Sequence, residues 1–281
     1  MVTNKDECVT AKSPSSNILI EQIYCNWSGG CAIGSLGAGT AISSVTYSKV
    51  YSVNCNQMRM IKSNGGSGSV QNVTFDKFIG HNNAYSLDID QAWGSMTPVS
   101  GSGIHLKDIT FSNWKGDCAN GVQRGPIQFK CAAGAPCTGM TVRDFSVWTN
   151  AGSEVNYICN NAYGTGACLR AGSGGTYSTT SKITIAPAGW QAPRLSTDLK
   201  SGFGFTSEIP DSLIQNIGSS PRFHFDAASG PLPRSRMFRS SPFLIPGRRT
   251  TRGFPSSLFV VGFAMVGSEL EPHRRGTCAM E

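Results

Sequence analysis

Short stretches of alternating apolar and polar residues recur along the chain, and each opens with a small polar residue. The stretches are NILIEQI, SVTYSKV, NVTFDKF, DITFSNW and DFSVWTN, which begin at Asn17, Ser44, Asn72, Asp108 and Asp144. Such alternation over five to seven residues predicts β-strands. The steps from one start to the next are 27, 28, 36 and 36 residues, and a period of roughly 20–50 residues is typical of a solenoid.

A β-sandwich is the alternative all-β architecture, because it also consists of short strands and turn clusters. Sandwich strands usually recur every ~8–12 residues, whereas the strongest pattern here has a longer period. Weaker strand patterns such as CAIGSLG and QMRMIKS lie between the strong ones. Several strands in each repeat favour a parallel β-helix, with consecutive coils over 15–160 and the five strong strands stacked in one sheet.

The composition supports an all-β chain and divides it into two parts. Glycine is abundant, at 33 of 281 residues, which suits short strands joined by turns. Because the strand pattern ends near Leu213, we assign 1–215 to the β-helix and 216–281 to an irregular, low-order tail rich in Arg, Pro and Ser. This tail is either a polyanion-binding segment or, as we favour, mistranslated intron or exon sequence. Cys278, which has no obvious local partner, fits the second interpretation.

The net charge of +7 comes mostly from the tail. The segment 217–281 holds nine of the fourteen arginines, no lysine and four acidic residues, which leaves 1–216 close to neutral. A nearly neutral main body argues against nucleic acid as the partner. The longest apolar run, LFVVGFAMVG at 258–267, is about half the length that spans a bilayer, so we expect no membrane partner.

Ten cysteines are many for a reduced cytosolic enzyme and indicate an oxidising compartment. Cys131 and Cys137 bracket a short loop, as do Cys159 and Cys168, and a disulfide could close each of these loops. The chain has four histidines and no CxxC pair, so we expect no metal site. The glycosylation sequons NWS and NVT also suit a secreted protein, although MVTNKDECVT lacks the pattern of a signal peptide.

Three motifs follow one another in the first part of the chain: NKDEC, CNWSGGCAIGSLG and QMRMIKSNGGSGSVQNVTF. Their order and spacing resemble the pectin hydrolases of glycoside hydrolase family 28, whose motifs read Asp-Asp-Cys, Cys-Ser-Gly-Gly-His-Gly and Arg-Ile-Lys. The chain departs from them at Asp6-Glu7, at Gly29 in place of the histidine, and at Met60 in place of the arginine. With FIGHNNAYSLDID following, these departures resemble the fungal rhamnogalacturonase branch, over roughly residues 2–215.

The resemblance implies a right-handed parallel β-helix of the pectin-lyase type and hydrolysis of pectin with inversion. We expect a secreted, extracellular monomer without a cofactor, acting on the pectic polysaccharide rhamnogalacturonan. The resemblance also pairs Cys8 with Cys25. We expect Cys31 to be unpaired and buried, and the pairing of Cys55 and Cys118 stays open.

In the family, the acid pair lies well inside the chain. A further catalytic aspartate, in an Asn-Thr-Asp motif, lies about one coil before it. We therefore expect this chain to be an N-terminally shortened member with little activity by itself.

Asp6 and Glu7 are the candidate catalytic acids. Inverting glycosidases use one protonated carboxyl group to release the leaving oxygen and one carboxylate to activate water. We assign Asp6 as the general acid and Glu7 as a base or an orienting group; two solvated loop acids are the alternative. Adjacent strand residues point to opposite faces, so an irregular loop or a bulge must carry the pair.

Lys62 is the candidate ligand of the substrate carboxylate, because a lysine beside two acids can bind a uronate and favour the ionised form of one acid. A surface lysine is the alternative. Met60 replaces the bidentate clamp that the family arginine would provide, and its apolar side chain suits the methyl group of rhamnose. The loss of the arginine and the apolar side chain of Met60 both favour a substrate that alternates rhamnose with galacturonate over polygalacturonate.

His81 is a further candidate catalytic residue, since it could replace the motif histidine in proton transfer or hydrogen bonding. A capping or core histidine is the alternative. Asp88 and Asp90 share one strand face and could extend the sugar-binding cleft, whereas an exposed acidic ladder is the simpler alternative. Tyr85 and Trp93 could stack on sugars, although aromatic residues in a β-helix more often pack between coils.

The resemblance thus implies an enzyme that hydrolyses bonds between galacturonic acid and rhamnose in rhamnogalacturonan. One alternative is a non-catalytic carbohydrate-binding β-helix or an inactive fragment. The other is a polygalacturonase, which Met60 and Gly29 disfavour.

Overall fold

The structure, a computed structural model, describes residues 1–4, 6–150, 152 and 154–193. The tail assigned to 216–281, including Cys278, lies outside the described residues. Every regular element within them is a β-strand. The strands are β1 (Val2–Thr3), β2 (Val9–Ala11), β3 (Ser15–Asn26), β4 (Cys31–Leu36), β5 (Thr40–Val53), β6 (Gln57–Ser63), β7 (Gly68–Asn83), β8 (Tyr85–Asp90), β9 (His105–Cys118), β10 (Ile127–Lys130), β11 (Cys137–Thr149), β12 (Val155–Asn160), β13 (Ala162–Thr165) and β14 (Ser178–Ile183).

The strands form two seven-stranded sheets. Sheet A has the order β1-β3-β5-β7-β9-β11-β13, and sheet B has the order β14-β12-β10-β8-β6-β4-β2. Neighbouring strands are parallel, except that β14 runs antiparallel to β12. Because the chain alternates between the sheets, each successive pair of strands is one coil of a solenoid. The predicted all-β parallel β-helix is confirmed, and the limits of the domain stay predictions.

The five strong strands of the sequence pattern all lie in sheet A, as predicted, within β3, β5, β7, β9 and β11. The residues aligned across the first four are Ile18, Val45, Val73 and Ile109. The fifth stretch is shifted in register relative to the other four, because Phe145 lies opposite Trp114 rather than Ile109.

Two bends in each long strand explain this difference. At the first bend the backbone is left-handed, with φ between 52° and 64° at Asn17, Ser44, Asn72, Asp108 and Gly139. Asparagine, aspartate and glycine adopt this conformation more readily than most residues, so the polar residue that opens a stretch marks where the strand turns. The second bend lies at Gln22, Lys49, Lys77, Asn113 and Asp144. DFSVWTN therefore begins at the second bend, whereas the other stretches begin at the first.

Aromatic side chains at equivalent places in successive coils stack inside the solenoid. The ring centroids of Phe75 and Phe111 are 5.3 Å apart, with 6° between their planes. Those of Phe78 and Trp114 are 4.4 Å apart, with 5° between their planes. Tyr47 extends the first stack, at 5.1 Å from Phe75. Each such pair contributes roughly 0.5–1.5 kcal/mol beyond its buried area, so the stacks help to hold one coil against the next.

Arg59 of β6 lies in the same interior. Its side chain has no exposed surface, and its guanidinium carbon lies 4.0 Å from the centroid of the Phe75 ring. Nη1 reaches the carbonyl oxygen of Asp88 at 3.5 Å, while Nε and Nη2 have no hydrogen-bond partner in the described part of the chain. Burial lowers the pKa of Arg59 to about 9, so the core contains a poorly solvated cation at neutral pH.

The cysteine pairing agrees with the sequence interpretation. The disulfides are Cys8–Cys25, Cys131–Cys137 and Cys159–Cys168. Cys31 is unpaired and buried, as predicted, and Cys55 and Cys118 are also free and buried. The described residues include no helix that is long and apolar enough to cross a membrane.

Candidate active site

Asp6 and Glu7 lie in the loop between β1 and β2, outside any strand, as the chemistry of the pair requires. The N–H of Gly29 donates to the carbonyl oxygen of Asp6 at 2.8 Å. The Cys8–Cys25 disulfide joins the end of the loop to β3 in the next coil. The N–H of Cys8 also donates to the carbonyl oxygen of Gly30 at 2.8 Å, so two hydrogen bonds and one covalent bond hold the acids against the turn that follows β3.

Gly29 permits this close approach. A Cβ atom at that position would lie 3.1 Å from the nitrogen of Glu7 and 3.2 Å from the carbonyl carbon of Asp6. Both contacts are with backbone atoms, which cannot rotate away as a flexible side chain can. A methyl group at Gly29 would therefore require the backbone of the acid loop to shift by a few tenths of an ångström.

Lys62 of β6 meets the acid loop from two strands away in sheet B, where β4 lies between β2 and β6. Its Nζ donates to Oε1 of Glu7, and it lies 5.9 Å from the centroid of the Trp93 ring. The side chains of Lys62 and Glu7 are only 16% and 18% exposed. The predicted meeting of a lysine with the acid pair is present in the structure, and Lys62 is not a free surface lysine.

Asp6 is the more exposed member of the pair. Its Oδ1 accepts the N–H of Glu7 at 2.8 Å. The pKa of Asp6 is lowered, chiefly by a hydrogen bond with the side chain of Glu7 and then by this backbone N–H, with smaller contributions from the charges of Lys62 and Lys12. Asp6 is therefore ionised at neutral pH in the free site. A general acid must carry a proton, so its predicted role needs a change on substrate binding.

A cavity of about 560 Å³ opens over the acid loop. Its lining combines the acids and Lys62 with main-chain turns and large apolar groups: Asp6, Glu7, Trp27, Ser28, Gly29, Asn54, Cys55, Asn56, Gln57, Met60, Lys62, Asn82, Ala84, Trp93 and Ala119. The predicted residues Asp6, Glu7, Met60 and Lys62 are thus brought together. Carboxylates, amides and indole rings in one open cleft suit a carbohydrate, which presents both hydroxyl groups and C–H faces.

Several lining residues come from turns that sequence reasoning did not single out. The Nδ2 of Asn82 donates to the Oδ1 of Asn54 at 2.8 Å, and Asn56 N donates to the carbonyl oxygen of Ser28 at 2.9 Å. Ser28 follows β3, Asn54 and Asn56 follow β5, and Asn82 lies at the end of β7, in the segments CNWSGG, VNCNQ and HNNA. The recurrence of polar residues at or just after the end of each of these strands was the available signal.

His81 lies near the end of β7, beside the lining residue Asn82, but does not itself line the cavity. Its Nδ1 lies 3.1 Å from Oδ2 of Asp117, a buried carboxylate that also accepts the N–H of Asn82 at 2.5 Å. The imidazole is 37% exposed, so it is not a core residue. Its predicted catalytic role stays a prediction, and Asp117 is a partner that the sequence did not reveal.

Asp88 and Asp90 of β8 lie outside the cavity lining and are buried, at 0% and 7% exposure. The Nε2 of Gln128 donates to Oδ1 of Asp88 at 2.8 Å, and Lys130 lies 3.3 Å from Asp90. Burial raises the pKa of Asp88 to about 6. The alternative of an exposed acidic ladder is wrong, because both side chains are covered, and their role in substrate binding stays a prediction.

Tyr85 and Trp93, the two candidate sugar platforms, have different surroundings. Trp93 lines the cavity, whereas Tyr85 does not and has the guanidinium of Arg124 at 5.4 Å from its ring. Within the described residues, no group of three or more histidine, cysteine or acidic side chains is placed to hold a metal ion.

The chain matches known proteins over most of its length. A family model described as glycosyl hydrolases family 28 matches residues 1–168. Rhamnogalacturonase A of Emericella nidulans is 59% identical over 214 residues, and rhamnogalacturonase A of Aspergillus aculeatus is 57% identical over 214 residues. A probable rhamnogalacturonase A of Aspergillus niger is 56% identical over 214 residues.

These matches cover unequal shares of the proteins compared. Each covers 76% of this chain, but 42% of the Emericella protein, 49% of the Aspergillus aculeatus protein and 48% of the Aspergillus niger protein. The chain therefore spans less than half the length of these relatives, and the residues that the family model matches, 1–168, include the acid loop and β6.

Proposed function

The chain belongs to glycosyl hydrolase family 28, and from this premise we propose that its site hydrolyses bonds between galacturonic acid and rhamnose in the rhamnogalacturonan backbone of pectin. The names of its relatives support this substrate, at 56–59% identity. The observation that carries the proposal is the meeting of the Asp6-Glu7 loop with Lys62, 55 residues further along the chain than Glu7.

Lys62 binds the substrate carboxylate in this proposal. Galacturonic acid carries a carboxylate. Among the described residues that line the cavity, Lys62 is the one with a positively charged side chain. When the uronate approaches, Lys62 exchanges part of its interaction with Glu7 for the new anion. Glu7 is then available as a base that activates water or as a group that orients it.

Asp6 is the proposed general acid, and substrate binding supplies the change that this role needs. The free site lowers the pKa of Asp6. A bound uronate places a second negative charge nearby and removes water, and both effects raise the pKa of a carboxyl group. Asp6 would thus take up a proton as the cleft fills and donate it to the departing glycosidic oxygen, with inversion at the anomeric carbon.

Met60 and the absence of a second cation in the described lining favour a partly neutral substrate. Polygalacturonate carries a carboxylate on every sugar, so its binding would leave charges without a partner at neighbouring positions. An alternating polymer places a rhamnose next to each uronate, and the apolar Met60 in the lining provides no cation for a second carboxylate. Secretion into an oxidising compartment is also proposed, and the three disulfides support it.

A non-catalytic carbohydrate-binding β-helix is the second candidate function. Among the described lining residues, the carboxylates are Asp6 and Glu7. They are adjacent in sequence, whereas an inverting enzyme holds its two carboxyl groups about 6.5–9.5 Å apart around a water molecule. A site in which the pair only binds sugar would have the same lining.

Calorimetric titration and product analysis with rhamnogalacturonan oligosaccharides separate these functions. We expect the wild-type chain to bind them and, with the small activity expected of it by itself, to release products with inverted anomeric configuration, detected by NMR. Asp6→Asn should retain binding and lose about 10²–10⁴-fold in hydrolysis. Lys62→Met should weaken binding about tenfold or more. Lys182→Met is the control, because the Lys182 side chain is 58% exposed and pairs with Glu154. It should change neither binding nor hydrolysis.

The outcomes are distinct. Binding without hydrolysis would favour the carbohydrate-binding function, and the absence of both would show that the proposed substrate is wrong. Tighter binding of polygalacturonate oligosaccharides than of rhamnogalacturonan would support the polygalacturonase alternative.

A further inference from the structure

Trp27 lies in the turn between β3 and β4 and lines the cavity above the acid loop. Its side chain is 52% exposed. Of the large apolar residues that the described part of the chain exposes most, Trp27 is the one that lines this cavity. An exposed indole at the rim of a polar cleft has little to stabilise it in the free protein.

The backbone at Trp27 is also strained. Its φ is 50°, in the left-handed region, which is unfavourable for a bulky residue. The next two coils have asparagine at the equivalent position and in the same conformation, at Asn54 (φ 51°) after β5 and at Asn82 (φ 52°) at the end of β7. Asparagine tolerates this conformation well. The fold thus places a tryptophan where its own repeat uses asparagine, and strain of this kind concentrates at functional sites.

The surroundings of Trp27 indicate what it could bind. The same cavity contains the charged centre formed by Asp6, Glu7 and Lys62, and a second indole, Trp93, lies beside Lys62. A tryptophan provides a large, rigid, apolar surface at a small cost in conformational entropy, and the face of its ring attracts polarised C–H groups. A pyranose ring offers such C–H groups on one face.

We propose that Trp27 is a carbohydrate-stacking residue that binds a neutral 6-deoxyhexose ring next to the uronate held by Lys62. This assignment rests on the proposed function, because an alternating polymer puts a rhamnose on each side of a bound galacturonate. Rhamnose has no carboxylate that needs a cation, and its methyl group enlarges the apolar surface that can contact the indole. Trp27 thereby sets the position of the chain relative to the acid loop and contributes to discrimination against polygalacturonate.

Substitution by the residue of the neighbouring coils provides the test. Trp27→Asn relieves the backbone strain and removes the indole, so we expect an unfolding midpoint in urea equal to or above that of the wild type. We expect its dissociation constant for rhamnogalacturonan oligosaccharides, measured by calorimetry, to rise roughly five- to thirtyfold. Trp27→Phe should lie between the wild type and Trp27→Asn. Trp27→Gly, which also accepts a left-handed backbone, gives a second variant without the ring.

The control is Leu19→Thr. Leu19 is 65% exposed on β3, does not line the cavity, and has threonine at the aligned position of β5, Thr46. We expect Leu19→Thr to bind as the wild type does. The Trp27 assignment is overturned if Trp27→Asn and Trp27→Gly bind like the wild type, or if Leu19→Thr loses affinity equally. Absence of binding by the wild type itself would overturn the assignment together with the proposed function, whereas unchanged binding by the variants would overturn the assignment alone.

Discussion

Replacement of Asp88 by asparagine should remove a pH-dependent loss of stability. Asp88 is completely buried in β8, its Oδ1 accepts the Nε2 of Gln128 at 2.8 Å, and its Oδ2 has no partner among the described residues. Burial raises its pKa from 3.8 to about 6, and the nearby charge of Asp90 adds to the effect. The folded protein therefore prefers Asp88 in its protonated, neutral form.

The sign of the effect follows from this preference. Below about pH 4 the carboxyl group is protonated in both the folded and the unfolded chain, so Asp88 costs little. As the pH rises from about 4 to about 6, the unfolded chain loses the proton of Asp88 while the folded chain keeps it, and the free energy of unfolding falls. The fall ends once the folded chain also loses this proton, above about pH 6. The difference between 3.8 and about 6 corresponds to about 3 kcal/mol at neutral pH, of which most develops between pH 4 and pH 7.

Asp88→Asn mimics the neutral form, because its amide oxygen can still accept the N–H of Gln128. Burial of its NH₂ group adds a cost that does not depend on pH. We therefore expect the stability of the variant relative to the wild type to increase by about 2–3 kcal/mol between pH 4 and pH 7. Urea unfolding at unit steps of pH measures this difference. Asp144→Asn is the matched control, since the Asp144 side chain is 63% exposed and should show a change within about 0.5 kcal/mol. A relative stability of Asp88→Asn that stays constant over this pH range would refute the reasoning.

Three further changes test other parts of the structure. Arg59→Leu should increase the free energy of unfolding in urea by about 1–4 kcal/mol, because it replaces a buried cation without full hydrogen bonding by the residue type found at the aligned position Leu87; a loss of stability would contradict this. Gly29→Ala should lower the free energy of unfolding by about 1–3 kcal/mol, because the added methyl group meets the backbone of the acid loop. An unchanged urea midpoint would argue against close packing of Gly29 on that loop. In protein secreted from a eukaryotic host, mass spectrometry should find a glycan at the exposed Asn72 and none at Asn26, which is completely buried. A fully occupied Asn26 in folded protein would be inconsistent with this structure.

Strand positions and disulfides could be predicted largely from the sequence. Alternation of apolar residues is a local property, so the strands that begin near Ile18, Val45 and Val73 could be recognised and stacked by their spacing. The short loops between Cys131 and Cys137 and between Cys159 and Cys168 also limited their pairing to near neighbours. The predicted register of the fifth strand was wrong, because DFSVWTN looks like the other stretches but begins at the second bend. Only the inter-strand register distinguishes the two bends.

The candidate site needed the tertiary structure. The motifs indicated Asp6, Glu7 and Lys62, but their meeting in one cavity depends on the stacking of coils, which brings residues 55 positions apart into contact. The alternation that placed Asp88 on one strand face could not show that this face is covered there, so the aspartate was read as a cleft or surface residue. Trp27 was missed because its importance lies in a left-handed backbone and an exposed ring, and neither appears in a pattern of apolar and polar letters. A sequence determines which side chains alternate along a strand, whereas burial, strain and ion pairing depend on what the neighbouring coils place against each of them.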